Sequence, residues 1–252
     1  ITASAGTSNT RIGVNAGNSI ASGGNYNVVV GDEAGTALTT GDNNVAVGYG
    51  ALDAEDTGTD SVAIGYNALT AQNNDSTNYN VAVGSSAGAA ITSGVQNILV
   101  GALAGDAVTT GNSNVSVGHG SLSLNTASHR NTAIGEFSLA ALNITTSTNA
   151  YNTALGYSAG AGVTTGVENT LIGSLAGDAL TDADFNVAFG VAALGSDTKG
   201  SKSVAIGNSA LLRQNFTTAT DSFNVAVGHD SGSNITTGIR NTLIGGLAGD
   251  AL

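Results

Sequence analysis

The chain has 252 residues, a formal net charge of −12 at pH 7 and no Cys, Pro, Met or Trp. The absence of Cys excludes disulfides and thiolate metal sites. The acidic balance argues against nucleic-acid binding, which needs clustered Lys and Arg. The sequence contains no signal peptide and no transmembrane run, so no membrane insertion is expected of this segment.

One five-residue motif repeats along the chain: Asn or Ser, three mostly apolar residues, then Gly. Its fourteen copies begin at positions 9, 27, 44, 61, 80, 97, 114, 131, 152, 169, 186, 203, 224 and 241, and most lie 17 residues apart. This period is too short for a helix pair or a propeller blade and is typical of one coil of a β-solenoid. The sequence therefore predicts an all-β, parallel β-solenoid of about 14 coils.

Each motif is expected to form a short strand with two apolar faces. Its second and fourth residues, such as Val45 and Val47, share one face, and its third residue, such as Ala46, points the other way. Two apolar faces indicate that both are covered. The lumen of the coil can cover one face. A second copy of the chain is the simplest cover for the other, so a homo-oligomer is predicted.

The first and last residues of the motif are expected to have structural roles. The Gly allows positive φ or close backbone approach, and the Asn suits a stacked side-chain ladder or a left-handed turn. Catalysis is not expected at either position. The representative residues of this structural repeat are Asn44, Gly48, Asn80, Gly84, Asn131, Gly135, Asn224 and Gly228.

Two further positions complete the predicted core. The third residue after the motif Gly is Ala or Ser in every copy, which indicates tight packing. The fourth is Gly or Leu, alternating in pairs of coils. Where it is Gly, as at Gly35, an apolar residue such as Leu38 follows three positions later. Each coil is therefore expected to hold one large apolar side chain, supplied from one of two places.

The pairs of coils define a larger repeat of about 72 residues. The chain is predicted to be one elongated β-solenoid segment over residues 1–252, with four-coil blocks at 9–79, 80–151 and 152–223 and a partial block at 224–252. Because it lacks Met and visible capping elements, it is expected to be a segment of a longer chain.

The last coil of each complete block has a longer loop, at residues 73–77, 144–148 and 213–217. Insertions in a solenoid map to loops on one face, often the binding face. Asn74, Thr146, Arg213 and Phe216 are therefore candidate receptor-contact residues, although drift after duplication explains the same insertions.

No catalytic or cofactor-binding constellation stands out from the repeat. His119, His129 and His229 are interpreted as surface residues, and a metal on a symmetry axis is the alternative. Asp106, Asp178 and Asp250 recur with the block and are interpreted as turn residues, with calcium as the alternative. The expectation is a non-enzymatic protein with no metal and no cofactor.

The motif resembles the head repeat of YadA-like trimeric autotransporter adhesins, most closely at Ser61–Ala68 and Ser203–Ala210. Asn44–Leu52 and Asn131–Leu139 are also similar to repeats of phage tail fibres. This resemblance implies a left-handed parallel β-roll, three chains around one axis and binding to host surfaces. The family's usual head repeat is shorter, and the neck and coiled-coil stalk of those adhesins do not occur in these residues.

Four functions follow as hypotheses. The first is a segment of a homotrimeric viral tail fibre, extracellular on the virion surface, that attaches to a host receptor or glycan. The second is a bacterial cell-surface adhesin of the autotransporter type, and the third is a purely structural extracellular filament. An ice-binding solenoid is the fourth. It would need a regular Thr array on every coil, whereas the Thr-Thr-Gly turns of this chain skip most coils.

Overall fold

The computed structural model describes residues 6–251 and contains strands, turns and bends in that range but no helix. Each motif forms a strand over its second to fourth residues. The predicted all-β class and parallel β-solenoid with a repeat of about 17 residues are therefore confirmed.

The described residues divide into two compact units with seven motif strands each. The first unit runs to Ser128 and includes Thr145–Ser147; the second comprises His129–Ile144 and the residues from Thr148 onward. The strands of the first unit are β1 Thr10–Ile12, β2 Val28–Val30, β3 Val45–Val47, β4 Val62–Ile64, β5 Val81–Val83, β6 Ile98–Val100 and β7 Val115–Val117. Those of the second are β8 Thr132–Ile134, β9 Thr153–Leu155, β10 Thr170–Ile172, β11 Val187–Phe189, β12 Gly200–Ser201, β13 Val204–Ile206, β14 Thr220–Asp221, β15 Val225–Val227 and β16 Thr242–Ile244.

Within each unit, successive motif strands pair in parallel and in register. Equivalent motif positions lie opposite each other, as in Val45 with Val62 and Ala46 with Ala63. The short β12 and β14 form a separate parallel pair in the second unit. Because the register never shifts, every motif position becomes a row of side chains along the stacked coils.

The third motif position faces the interior of each coil. Its side chains have zero relative exposure in every copy from Val29 to Ala226. The Ala or Ser that follows the motif Gly by three residues is also buried wherever another coil covers it, as at Ala51 and Ser121. The prediction that one apolar strand face fills the coil and that small residues pack beside it is confirmed.

The motif Gly is required by both conformation and space. Its φ lies between 124° and 143° in all fourteen copies. Within each unit, a Cβ on one such Gly would lie 2.3–2.6 Å from the carbonyl oxygen of the next. No side chain fits at that distance, so the row of Gly lets successive backbones stack directly.

The lead Asn forms the predicted side-chain ladder. Asn44 has zero exposure, and its Nδ2 donates to the Gly58 carbonyl at 2.8 Å. Its Oδ1 accepts from the Ser61 backbone N–H at 3.0 Å, so one side chain links two coils. The left-handed conformation falls on the residue before the Asn, with φ of 50–62° in all fourteen copies.

The large apolar side chain of each coil comes from one of the two predicted places. Leu52 has zero exposure, as does Leu38 in a coil of the other type. Leu52 has a φ of 53°, close to the 52° of Gly35 at the equivalent position. A left-handed Leu costs roughly 1–2 kcal/mol, which the burial of its side chain, worth about 1.5–3 kcal/mol, offsets.

In the Leu-type coils, the residue three positions after that Leu is buried even when it is polar. These residues, all with zero exposure, are Glu55, Gln72, Asn125, Leu142, Asp197 and Gln214. The sequence pattern did not predict burial of the polar members of this set. They are buried because the Leu already fills the coil on one side and the polar side chain turns inward to bond its neighbours.

Glu55 and Gln72 form a buried polar cluster with complete hydrogen bonding of the carboxylate. Glu55 Oε1 accepts from the Gly58 N–H at 2.8 Å, and Oε2 accepts from Gln72 Nε2 at 2.9 Å and from Asn78 Nδ2 at 3.1 Å. Burial raises the pKa of Glu55, and the hydrogen bonds from Gln72 and from the Gly58 N–H partly oppose the increase.

Gln72 also replaces the Asn that is missing from the ladder at Ser61. Gln72 Nε2 donates to Ser61 Oγ at 2.8 Å, and Gln72 Oε1 accepts from Asn80 Nδ2 at 2.8 Å. The second unit repeats this arrangement with Gln214, Ser203 and Asn224. Where the equivalent residue is Leu142, the lead residue is Asn131 and the ladder needs no substitute.

Candidate interaction surface

The outward face of the motif strands is the apolar surface that the fold leaves uncovered. Its central rows are the second and fourth motif positions, which are half-buried or exposed in every strand. Ile98 is 44% exposed and Phe189 is 53% exposed. The predicted second apolar face therefore points to solvent within each unit.

Three further rows extend this face at its sides. The leading edge is the row formed by the residue before the lead Asn or Ser. The trailing edge consists of two rows, formed by the residue directly after the motif Gly and by the residue that follows it. Together these five rows are called the outward face. They contain 22 of the 24 exposed large hydrophobic side chains among the described residues; Leu124 and Ile239 are the exceptions. Exposed apolar surface concentrated in this way is typical of an interface.

Side chains of neighbouring coils contact each other along both edges. The rings of Tyr49 and Tyr66, on the trailing edge, are stacked with centroids 5.6 Å apart. On the leading edge, the Arg130 guanidinium lies 5.7 Å from the centre of the Tyr151 ring, and Arg130 Nη1 donates to the Tyr151 hydroxyl at 2.9 Å. These contacts restrict the side chains before any partner binds.

The four candidate loop residues lie in different environments. Thr146 and Arg213 are exposed, Asn74 is half-buried, and Arg213 Nη1 donates to Asn234 Oδ1 at 2.8 Å. Phe216 is only 6% exposed, and its backbone N–H donates to the buried Asp197 at 3.0 Å. The prediction of a receptor contact at Phe216 does not fit this burial, because its ring fills the interior beneath the loop.

The representative Asn residues of the structural repeat are buried: Asn44, Asn80, Asn131 and Asn224 have zero exposure. Gly48, Gly84, Gly135 and Gly228 all have the positive φ that the motif position requires. The Asn side chains link adjacent coils through hydrogen bonds, and the Gly positions let the backbones of adjacent coils stack directly.

The His and Asp residues that are alternative candidates for metal ligands do not lie together in one cluster. His119 and His229 are exposed on the trailing edge, and His229 Nδ1 lies 3.0 Å from Asp230 Oδ2. Burial, with a smaller contribution from Arg130, lowers the pKa of His129. The described residues contain no group of three or more His, Cys, Asp or Glu side chains able to hold a metal ion.

Asp106 and Asp178 lie in equivalent turns and are half-buried. Burial raises the pKa of both carboxyl groups. Their backbone carbonyls accept from the N–H groups of Ala90 and Gly162 in the preceding coils, at 3.0 and 2.8 Å. These contacts support the interpretation as structural turn residues.

The edge rows are the part of this surface that sequence reasoning missed. Tyr79, Tyr151 and Phe223 follow the three longest loops in the sequence, and loop length alone does not assign them to a face. Their fixed offset of one residue before the motif was the available signal, because a constant offset in a stacked repeat means a shared row.

Comparison with known proteins does not extend these observations. No family model, curated protein or solved structure matches the chain. The described residues contain no helix long and apolar enough to cross a membrane.

Proposed function

We propose that the chain is a non-enzymatic segment of a homotrimeric extracellular fibre, a shaft or head of the viral tail-fibre type, used in attachment to a host cell. In this proposal each protomer is a left-handed β-roll, and the outward faces of three protomers meet around one axis. The partners are two further copies of the chain and a receptor or glycan on the host surface.

The observation that carries the proposal is the concentration of exposed apolar side chains on the outward face. Burial of apolar area contributes about 25 cal/mol per Å², and each unit has these rows in all of its coils. A monomer would leave these rows in water. Identical copies can cover them without a separate partner, and closed cyclic symmetry is the usual outcome for soluble homo-oligomers.

A bacterial cell-surface adhesin of the autotransporter type and a purely structural filament are the alternative functions. Both use the same trimer, so the outward face does not separate them from a tail fibre. The exposed loop residues Thr146 and Arg213 favour a surface that contacts a host over a filament without a ligand.

Replacing one apolar side chain of the outward face by a charge is expected to dissociate the assembly. Ile98→Asp, in the second motif position of β6, places a carboxylate in the proposed interface. The matched control is Leu124→Asp, which lies in the same unit outside the outward face and is 54% exposed, compared with 44% for Ile98. Sedimentation equilibrium is expected to give a mass near the 24.4 kDa chain mass for Ile98→Asp and an unchanged oligomer for Leu124→Asp.

Equal behaviour of the two variants would contradict a role of the outward face in assembly. Attachment is tested separately, with fluorescently labelled segment and a panel of intact bacterial cells. The proposal expects saturable binding to some strains by the wild-type oligomer. An assembled trimer that binds none of them would favour the structural filament.

A further inference from the structure

The charges on the two edges of the outward face are arranged without conflict. The charged Asp, Glu, Lys and Arg residues of the leading edge are Asp60, Arg130, Glu168, Lys202 and Arg240, and those of the trailing edge are Asp32, Glu33, Glu136 and Asp230. Only one coil has a charge on both edges. That coil contains β8, and its two charges, Arg130 and Glu136, are opposite.

Symmetry determines which edges meet when outward faces pack together. If copies are related by rotation about an axis parallel to the stacked coils, the leading edge of one copy meets the trailing edge of the next, and each coil meets its own equivalent. An antiparallel pair instead brings leading edges together and opposes coils from different levels.

The side chains at equivalent levels of the second unit suit the parallel arrangement. Parallel packing would place Tyr151 beside the partner copy's equivalent of Tyr157, and Phe185 beside that of Val191. All four side chains are 47–52% exposed. The same packing brings exposed Arg130 opposite exposed Glu136. Apolar side chains would then meet in the coils of β9 and β11, and the single doubly charged coil would form an ion pair.

We propose that copies of this chain associate in parallel and in register, with Arg130 of one copy paired to the Glu136 position of the next. This inference rests on the proposed assembly, whose single axis already makes the copies parallel and in register, and adds the specific contact between neighbouring copies. Arg130 already donates to Tyr151 with one guanidinium nitrogen. The other N–H donors of the guanidinium group can reach a carboxylate across the interface.

Disulfide trapping tests the register directly, because the wild-type chain contains no Cys. The test variant is Arg130→Cys/Glu136→Cys. The two positions flank β8 and are six residues apart, a span of up to roughly 20 Å along an extended strand, which is too far for an intrachain bond. Oxidation is expected to link each copy to the next and to close a covalent trimer on a non-reducing gel.

Three control variants define the outcomes. Arg130→Cys and Glu136→Cys alone are expected to remain uncrosslinked. Arg130→Cys/Asn208→Cys displaces the trailing-edge thiol by four coils, or about 19 Å. This variant is also expected to give no covalent dimer or trimer on the gel. Covalent dimers from Arg130→Cys alone would overturn the proposal, because they show that leading edges meet.

Charge reversal provides an independent measurement. Arg130→Glu and Glu136→Arg are each expected to raise the dissociation constant of the assembly about tenfold or more, because like charges would then face each other. The double reversal is expected to restore the wild-type value. Arg240→Glu, whose coil has Gly246 on the other edge, is expected to show no coupling with Glu136→Arg.

The result also separates this inference from the proposed assembly. If the wild-type chain is oligomeric but neither the double-Cys variant crosslinks nor the double reversal recovers, the Arg130–Glu136 contact is wrong and the assembly stands. If the wild-type chain is a monomer, both fail.

Discussion

Gly173→Ala is expected to lower the free energy of unfolding by about 4 kcal/mol or more. Gly173 has a φ of 131°, and an added Cβ would lie 2.4 Å from the Gly190 carbonyl oxygen in the next coil. Backbone strain accounts for about 1–3 kcal/mol of the effect. The remainder arises because the two coils must move apart to admit the methyl group, which breaks their register. Urea unfolding followed by circular dichroism measures the change.

Gly245→Ala is the matched control in the same unit. Gly245 has a similar φ of 124°, but a Cβ there would meet nothing within 4 Å. Only the conformational strain of about 1–3 kcal/mol is expected. If the two variants lose equal stability, direct backbone stacking across the Gly row does not explain the invariant Gly of the motif.

Gln72→Leu is expected to destabilise the first unit by about 3 kcal/mol. The substitution removes the Gln72 donor from the buried Glu55 carboxylate and the Gln72 acceptor from Asn80 Nδ2, although the volume is nearly conserved. A buried polar group that loses its partner costs more than the lost hydrogen bond itself contributed. Thermal unfolding monitored by calorimetry measures the loss.

Another coil of the chain indicates a second substitution that should compensate for Gln72→Leu. The coil with Leu142 has Asn131 as its lead residue, and Asn131 Oδ1 accepts from the Asn152 N–H at 3.2 Å. Adding Ser61→Asn to Gln72→Leu is expected to restore the ladder and recover about 1 kcal/mol or more. Ser61→Asn alone, with Gln72 retained, overfills the site and is expected to destabilise. If the double variant recovers no stability relative to Gln72→Leu, the interpretation of Gln72 as a substitute for the ladder Asn is contradicted.

The fold was predictable because a fixed period and a constant register act together. A 17-residue spacing forced equivalent residues into rows, so Ala46 and Val47 could be assigned to opposite faces from their position in the motif alone. The role of the motif Gly followed from its presence in every copy, since only a conformational or steric requirement explains such uniformity.

The buried polar clusters and the left-handed side chains were not predictable in the same way. Glu55 and Asp197 resemble surface residues in sequence, because acidic residues are rarely fully buried without partners. Their partners Gln72 and Gln214 lie 17 residues away, so the cluster exists only once the coils are stacked. Left-handed φ at Leu52 or Tyr79 contradicts local preference, and the stacked coils on either side impose it.

The contact surface was predictable in part. Two apolar strand faces indicated an oligomer, and the structure places one of them in the interior and the other outside. The candidate loop positions follow from loop length alone, which does not indicate the direction in which a side chain points. Phe216 fills the interior for that reason, whereas Arg213 is exposed.

The mass of the wild-type segment in dilute solution tests the central claim that sister copies cover the outward face. Light scattering coupled to size-exclusion chromatography should give about three times the chain mass of 24.4 kDa, and the value should persist on dilution to low micromolar concentration. A stable, folded monomer at 24.4 kDa, with the Val and Ile rows exposed to water, would contradict the account.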